Sequence, residues 1–179
     1  MRIVTKRLIL RPPTLKDAED IAANANNLDV TKYLAVVPYP YSVKDALDFI
    51  KRRRKKANRN PYNFVIALKK SGKVVGMIGF PALDKFSGKA DVGYWLGKKY
   101  WRQGIVTEAM EAIVKLAFRK IKLVRLQAEV YVENKASANL LKKLGFKKEG
   151  LKRKGARAKS TGKWHDTYVY GLLRSDIKI

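Results

Sequence analysis

Tyr94-Trp95-Leu96-Gly97-Lys98-Lys99-Tyr100-Trp101-Arg102-Gln103-Gly104-Ile105-Val106-Thr107-Glu108-Ala109 is the stretch on which the reading of this chain turns. A strand-like run from Ala90 to Leu96 passes into a basic loop, the loop holds Gly104 where backbone must approach something closely, and a helix begins at once. Between Ile105 and Lys120 the apolar residues Val106, Ala109, Met110, Ile113, Leu116 and Ala117 keep a helical period. Ile105, Ala112 and Val114 extend the apolar surface nearly all round, which predicts a central, buried helix. The start of such a helix carries unpaired N–H groups and roughly half a positive charge, so it attracts anions, and Arg102 and Lys99 add ionic attraction. A bound phosphate or diphosphate is one reading of the segment; an ordinary strand-to-helix turn is the other. No Gly-Lys-[Ser/Thr] follows and G-x-G-x-x-G is absent, so neither a Walker loop nor a dinucleotide fingerprint is present.

Working outward toward the start, Ile3, Leu8 and Leu10 alternate with Arg7, Ile9 and Arg11 as a strand that Pro12-Pro13 ends. Thr14 with Asp17 resembles a helix cap, followed by Ala18, Ile21 and Ala22 at helical spacing. Pro38, Pro40 and the surrounding tyrosines predict an ordered loop, after which Ser42 caps a helix with Val43, Ala46, Leu47 and Ile50 on one face. Tyr62 to Leu68, Val74 to Ala82 and Ala90 to Leu96, joined by Gly-containing turns, read as an antiparallel meander. On the other side come a strand from Leu126 to Val132, a short helix from Lys135 to Leu144 closed by Gly145, and strands near Phe146 to Leu151 and Thr167 to Leu173. With no repeat and no linker, residues 1–179 read as one α/β domain. Its sheet is expected to be mixed, with a parallel crossover between the strands that flank the central helix.

Composition bounds what the domain does. Zero Cys removes disulfides, thiolate catalysis and Cys-ligated metals, and a lone His165 leaves little for metal chemistry, so no metal is expected. Charge interrupts the first residues too early for a secretory segment, and no apolar run approaches the roughly 18 residues of a membrane span, so a soluble, cytoplasmic protein is expected. Forty Lys+Arg against fifteen Asp+Glu give a net charge of +25, which points to anionic partners. Spread evenly over roughly 9,000 Å² of surface, that charge would be about 19 Å apart and largely screened at a Debye length of about 8 Å. Only clusters would bind. Two exist: Lys51-Arg52-Arg53-Arg54-Lys55-Lys56, and the stretch from Lys142 to Lys163, where ten basic residues face one acid, Glu149.

The segment Arg125 to Gly150, containing Glu129-Val130-Tyr131-Val132-Glu133-Asn134-Lys135-Ala136-Ser137, makes the opening stretch recognisable. Together they resemble the acetyl-CoA loop and following strand-helix unit of the GNAT N-acetyltransferases, particularly the RimJ/RimL-like protein N-acetyltransferase branch. Thr5-Lys6-Arg7-Leu8-Ile9-Leu10-Arg11, Val75 to Phe80, Val92 to Leu96, and Gly162 to Asp166 with Tyr170 to Leu173 extend the likeness over nearly the whole chain. The resemblance implies the GNAT acyl-CoA N-acyltransferase fold: a mixed central sheet of about seven strands with about four helices, its middle strands Ala90 to Leu96 and Leu126 to Val132 splayed to admit pantetheine. It further implies that acetyl-CoA is held by Tyr94, Trp95, Leu96, Arg102, Gln103, Gly104, Ile105, Val106, Thr107, Asn134 and Ser137, with Leu96 N–H on the acetyl oxygen and Lys142 or Lys143 toward the ribose phosphate. Trp101 and Val106 depart from the family pattern around Gly104; Val106 adds bulk where backbone meets phosphate.

Direct transfer to an amine needs a neutral nucleophile and a proton for the departing thiolate. By resemblance Ser137 is that donor, in the first turn of its helix; local capping is its alternative role. The carboxylate that RimL-like enzymes use as base aligns with Ala156 and is missing. Glu129, five residues before Asn134, matches the carboxylate of RimI-like relatives; it shares a strand face with Gln127 and Tyr131 and so is expected to face a polar cleft, or else to be a solvated or ion-paired carboxylate. His165 is a further candidate proton relay. The expected acceptor is an N-terminal α-amine of a protein, such as a ribosomal protein, with possible ribosome or RNA association through the basic surface and a monomeric or homodimeric state. Polyamine or small-amine acetylation, and non-catalytic RNA or ribosome binding on the same fold, are the alternatives.

Overall fold

The structure is a computed structural model that describes residues 1–56 and 60–177. The chain opens as a hairpin, β1 (Ile3–Val4) against β2 (Leu8–Arg11), with Ile3 opposite Leu10. The single opening strand expected from alternation is therefore two, because Thr5 N–H donates to Leu8 O and Leu8 N–H donates to the Thr5 hydroxyl oxygen, closing a turn without glycine. After a capped turn follow α1 (Ala18–Ala25), α2 (Leu28–Thr31) and α3 (Val43–Lys56), then β3 (Asn63–Leu68) and β4 (Val74–Gly79). α2 was not expected; at four residues it shows no period, and Asn27 holds it by accepting from Asp29 N–H. The next strands are β5 (Leu83–Asp84), β6 (Lys89–Asp91) and β7 (Gly93–Leu96). They are followed by α4 (Ile105–Lys115) with a π-helical continuation to Ile121, then β8 (Arg125–Tyr131), α5 (Lys135–Lys143), β9 (Lys147–Arg157) and β10 (Trp164–Leu173). The last hairpin is far longer than expected, since the basic residues beyond Leu151 are strand and not loop.

Among the described residues ten strand segments form two five-stranded sheets, β1-β2-β3-β4-β7 and β5-β6-β8-β10-β9, where one sheet of about seven strands was expected. Alternation on β2 and β3 sorts residues between two cores. Leu8, Leu10, Phe64 and Ile66 face α4, Met110 and Ile113; Val65 and Ala67 face α1 and α3, Ile21, Ala46 and Ile50. α4 thus packs on β2, β4 and β7 of the first sheet, with Ile105, Ala109, Met110, Ile113 and Val114 buried; Glu111 and Lys115 stay exposed, so the helix expected to be central and buried keeps one solvent face.

The run Ala90 to Leu96 is not one strand. β6 pairs in parallel with β8, Ala90 opposite Leu126 and Asp91 opposite Gln127, and Val92 N–H donates to Gln127 O as the last link. β7 then turns to β4, with Tyr94 opposite Ile78 and Leu96 opposite Gly76. β7 and β8 therefore diverge, and β7 ends its sheet with one edge unpaired. The close β4–β7 approach depends on Gly76, where an added Cβ would lie 2.3 Å from the Trp95 carbonyl oxygen. Gly76→Ala is expected to cost about 1–3 kcal/mol, as overpacking against backbone does, read as a lower urea midpoint; an unchanged midpoint would mean that β7 yields freely.

Candidate active site

A cleft of about 450 Å³ opens where β7 and β8 part. Its walls are Tyr94, Trp95 and Leu96 of β7, the loop and helix start from Tyr100 to Thr107, the α5 start at Asn134 and Ser137, and Asp29, Val30, Tyr33 and Leu34 around α2. Each expected coenzyme-contacting residue except Lys142 and Lys143 lines this space. Lys143 is exposed in the last turn of α5 and does not.

Gly104 caps α4 with φ 70°, a left-handed conformation open to glycine and costly to branched side chains, and Arg102 before it is also left-handed at 59°. This double turn points successive amides one way. Among the described residues the N–H groups of Gln103, Gly104, Ile105, Val106 and Thr107 donate to no protein acceptor, while Glu108 N–H closes the first helical bond to Gly104 O. The loop is held from outside. Trp101 Nε1 donates to Leu96 O at 2.8 Å and Gln103 Nε2 to Lys99 O at 2.9 Å.

Arg7, almost a hundred residues upstream, does the most. Its Nη1 donates to Gln103 O at 2.8 Å and its Nε to Glu108 Oε2 at 2.6 Å, while Arg7 N–H and Thr5 O–H donate to the other oxygen of Glu108. Burial alone would raise the Glu108 carboxyl, but these bonds from Thr5 and Arg7 outweigh it and hold the group below its ordinary value. No contiguous pattern marks this clamp; its only trace in the sequence is the co-occurrence of Thr5-Lys6-Arg7 and Thr107-Glu108-Ala109.

On β7 the ladder sets which groups face the gap. Gly97 N–H donates to Val75 O, so in antiparallel alternation the neighbouring Leu96 N–H turns to the open edge. Across the gap, Asn134 caps α5 by accepting from Ser137 N–H at 3.1 Å. Ser137 Oγ lies 2.6 Å from the Tyr94 hydroxyl, joining β7 to α5 at the point where the sheets separate. Burial pushes the Tyr94 hydroxyl up to about 12, against a smaller opposing effect of the Ser137 bond, so at neutral pH it keeps its proton.

Glu129 does not line this cleft; of the two placements expected for it, it has that of an ion-paired carboxylate. It lies exposed on β8, accepts from Lys152 of β9, and accepts from Thr167 O–H at 3.2 Å. The face matches the period-2 reading, but what meets it is Lys152 of β9 and the Thr167 hydroxyl of β10. Ala156 sits opposite His165 in the hairpin. His165 stacks on Tyr131 with ring centroids 4.5 Å apart, and its Nδ1 is 3.3 Å from Glu133 Oε2; it does not line the cleft either. Asp29 is the one carboxylate in the cleft wall, and bonds from Lys32 and then Lys98 hold it down at about 2.

A parted strand pair over a helix start rich in unpaired amides is the architecture of a coenzyme-dependent acyl transferase, and the chain belongs to the acetyltransferase (GNAT) domain family, whose pattern matches residues 7–147. It is therefore an N-acetyltransferase of a family that uses acetyl-CoA. Among its relatives is the uncharacterized N-acetyltransferase p20 of Bacillus licheniformis, 34% identical over 175 residues that cover 97% of each chain. The [ribosomal protein uS5]-alanine N-acetyltransferase of Escherichia coli is 30% identical over 104 residues, 58% of this chain and 53% of its own. The crystal structure of a GNAT-family acetyltransferase from Bacillus anthracis superposes with a TM-score of 0.84 at 27% identity, covering 98% of this chain and 99% of that one.

Because Glu108 is bonded in its charged form and its folded pKa lies below 4.5, its contribution is complete above that value and is lost as pH falls through the lowered one. Glu108→Gln is expected to melt below the wild type at neutral pH, with the gap closing below about pH 4. A gap that persists in acid would show that the ionic bonds to Arg7 contribute nothing.

Proposed function

We propose that the protein transfers acetyl from acetyl-CoA directly to an N-terminal α-amine of a polypeptide. Five unpartnered amides around a left-handed glycine fit a diphosphate: they supply the donors, the helix dipole supplies positive potential, and Gly104 leaves only Arg7 Nη2 within 4 Å of a would-be Cβ. Acetyl-CoA bound there brings an activated thioester, and the chain's own groups do the rest. Leu96 N–H, on the unpaired edge of β7, is the donor for an acetyl oxygen. Tyr94, which keeps its proton, donates to Ser137 Oγ, and the Ser137 proton is directed to the thiolate that departs as the amide bond forms. The proton shed by the acylated nitrogen passes to solvent, and solvent restores the Ser137 hydroxyl.

The Tyr94–Ser137 pair at the fork of the sheets is the observation that carries this reading. Without Cys there is no covalent relay, which supports transfer within one ternary complex. The amine's own proton is a smaller problem for an α-amine, with a pKa of about 8, than for lysine at about 10.4. That fits the placement of Glu129 in a separate ion-pair network. A polyamine would bring several cations to a wall whose one carboxylate already serves Lys32 and Lys98, so the polypeptide reading is favoured. The E. coli relative that acts on a ribosomal protein supports the same class of acceptor.

Ser137→Ala is expected to lower kcat by about 10²-fold or more, the range for a positioned proton donor, with acetyl-CoA affinity nearly unchanged; Tyr94→Phe should fall in the same direction. Glu129→Gln should change kcat less than threefold, about 0.6 kcal/mol in barrier. Thiol release against a peptide panel measures all three, and a Glu129 variant that fails while the Ser137 variant works would reverse the assignment. Gly104→Glu should abolish acetyl-CoA binding in calorimetry by placing a carboxylate against the amide cradle; retained heat would refute the diphosphate site.

A further inference from the structure

We infer that the acceptor polypeptide carries acidic residues behind its terminal amine and docks as an extended strand on the basic β9–β10 hairpin; this deepens the reading above and rests on it. The cleft has the volume of a small-molecule site, so the length of any protein acceptor beyond its first residues must lie on the rim. The tip of the hairpin lies next to that rim without lining the cleft. It packs on the segment that follows the cleft residues Tyr33 and Leu34: Lys159 N–H donates to Ala35 O at 3.3 Å, and Ala35, Val36, Arg157 and Lys159 border a second hollow of about 490 Å³. A chain leaving the cleft over Leu34 therefore meets Arg157 and Lys159 within a residue or two.

Charge then selects the chain. Glu149, the one acid of the stretch, is bound by Arg125 at 2.8 Å, and Lys147 and Lys152 are taken by Asp176 and Glu129. Among the described residues no carboxylate pairs with Lys148, Arg153, Lys154, Arg157, Lys159 or Lys163. Arg153 and Lys154 are neighbours in the chain, and Arg157, Lys159 and Lys163 lie together at the hairpin tip, so within each group the fields overlap at a Debye length of about 8 Å.

Backbone selects extension. β9, with eleven residues, is the outer strand of its sheet, so one rank of its N–H and C=O groups faces no partner strand. Such an edge takes up an extended peptide. Its cations repel a second copy of itself, which leaves an acidic strand as the fitting occupant. Leu151 and Trp164, both more than half exposed, offer apolar contact, with the Arg157 guanidinium 6.0 Å from the Trp164 ring centre. A single-stranded RNA would satisfy the cations but would leave the strand edge unused and bring no amine to the cleft.

The test uses two synthetic peptides that share a Ser-Ala-Ala start and continue with six acidic residues or with their amides. Fluorescence anisotropy without acetyl-CoA should show the acidic peptide binding about tenfold tighter at low salt, the preference fading as salt screens it, and KM for thiol release should follow. Arg157→Glu/Lys159→Glu/Lys163→Glu should erase the preference. The Ala version should weaken it if the reversal variant misfolds, and an equal reversal on α3, Lys51→Glu/Arg52→Glu/Arg54→Glu, should leave it intact. Equal binding of the two peptides, an unaltered preference in the hairpin variants, or displacement of the acidic peptide by tighter-binding RNA of equal charge would overturn the inference. Preferential binding with thiol release from no peptide would instead sink the peptide-amine reading and leave the docking surface standing.

Discussion

The transfer of one chain segment from one sheet to another at Val92 is the constraint on which the molecule depends. Up to Asp91 the segment is hydrogen-bonded to β8; from Gly93 it is hydrogen-bonded to β4. A strand cannot satisfy both neighbours once they diverge, so the inner edges of β7 and β8 are left open toward each other. Open backbone inside a protein is costly unless something pairs with it, and this gap is where a ligand with its own acceptors is accommodated. The Tyr94–Ser137 bond closes the far side of the fork, and Trp101 accounts for the Leu96 carbonyl, leaving the Leu96 N–H outward.

The anion-binding end follows from the same arrangement. α4 packs its apolar face on β2, β4 and β7, and that packing fixes its first turn beside the gap. The amides there lack partners because the helix has just begun; their direction is set by two left-handed residues, and their position by Arg7. That clamp ties β2, the loop and the first turn of α4 into one unit, so the cradle exists before a ligand arrives. Preorganised donors lose no reorganisation energy when charge reaches them.

Local features were legible in the sequence, and features that depend on a distant partner were not. Gly104 between a basic loop and an apolar helix, and Asn134 three residues before Ser137, are contiguous patterns whose geometry the structure reproduces. The break at Val92 left no mark, since the alternation of apolar residues is the same whichever neighbour a strand chooses. The turn at Thr5 to Leu8 contains neither Gly nor Pro, and α2 is too short to show a period. Glu129 is the instructive case: period 2 placed it on the correct face, but what that face meets was decided by Lys152 and Thr167, on strands whose extent the sequence understated.

Net charge is resolved by the same distinction between local and distant. A total of +25 says little, because evenly spread charges at about 19 Å are screened by salt with a Debye length of about 8 Å. Of the two clusters, the run on α3 is the end of a helix: Lys51, Arg52, Arg54 and Lys55 are exposed, cations sit favourably at a helix C-terminus, and Arg53 lies over the Phe49 ring. The side chain of Lys56, which closes that run, lies outside the described residues. In the hairpin cluster Lys147, Lys148, Lys152 and Arg157 are engaged within the fold, whereas Arg153, Lys154, Lys159 and Lys163 pair with no carboxylate or ring among the described residues, and the hairpin tip touches the segment that follows the cleft wall. The field felt by an arriving acceptor is therefore set by a few residues of β9, β10 and their turn, and position relative to the open strand edge, more than the count of lysines, is what turns a basic surface into selectivity.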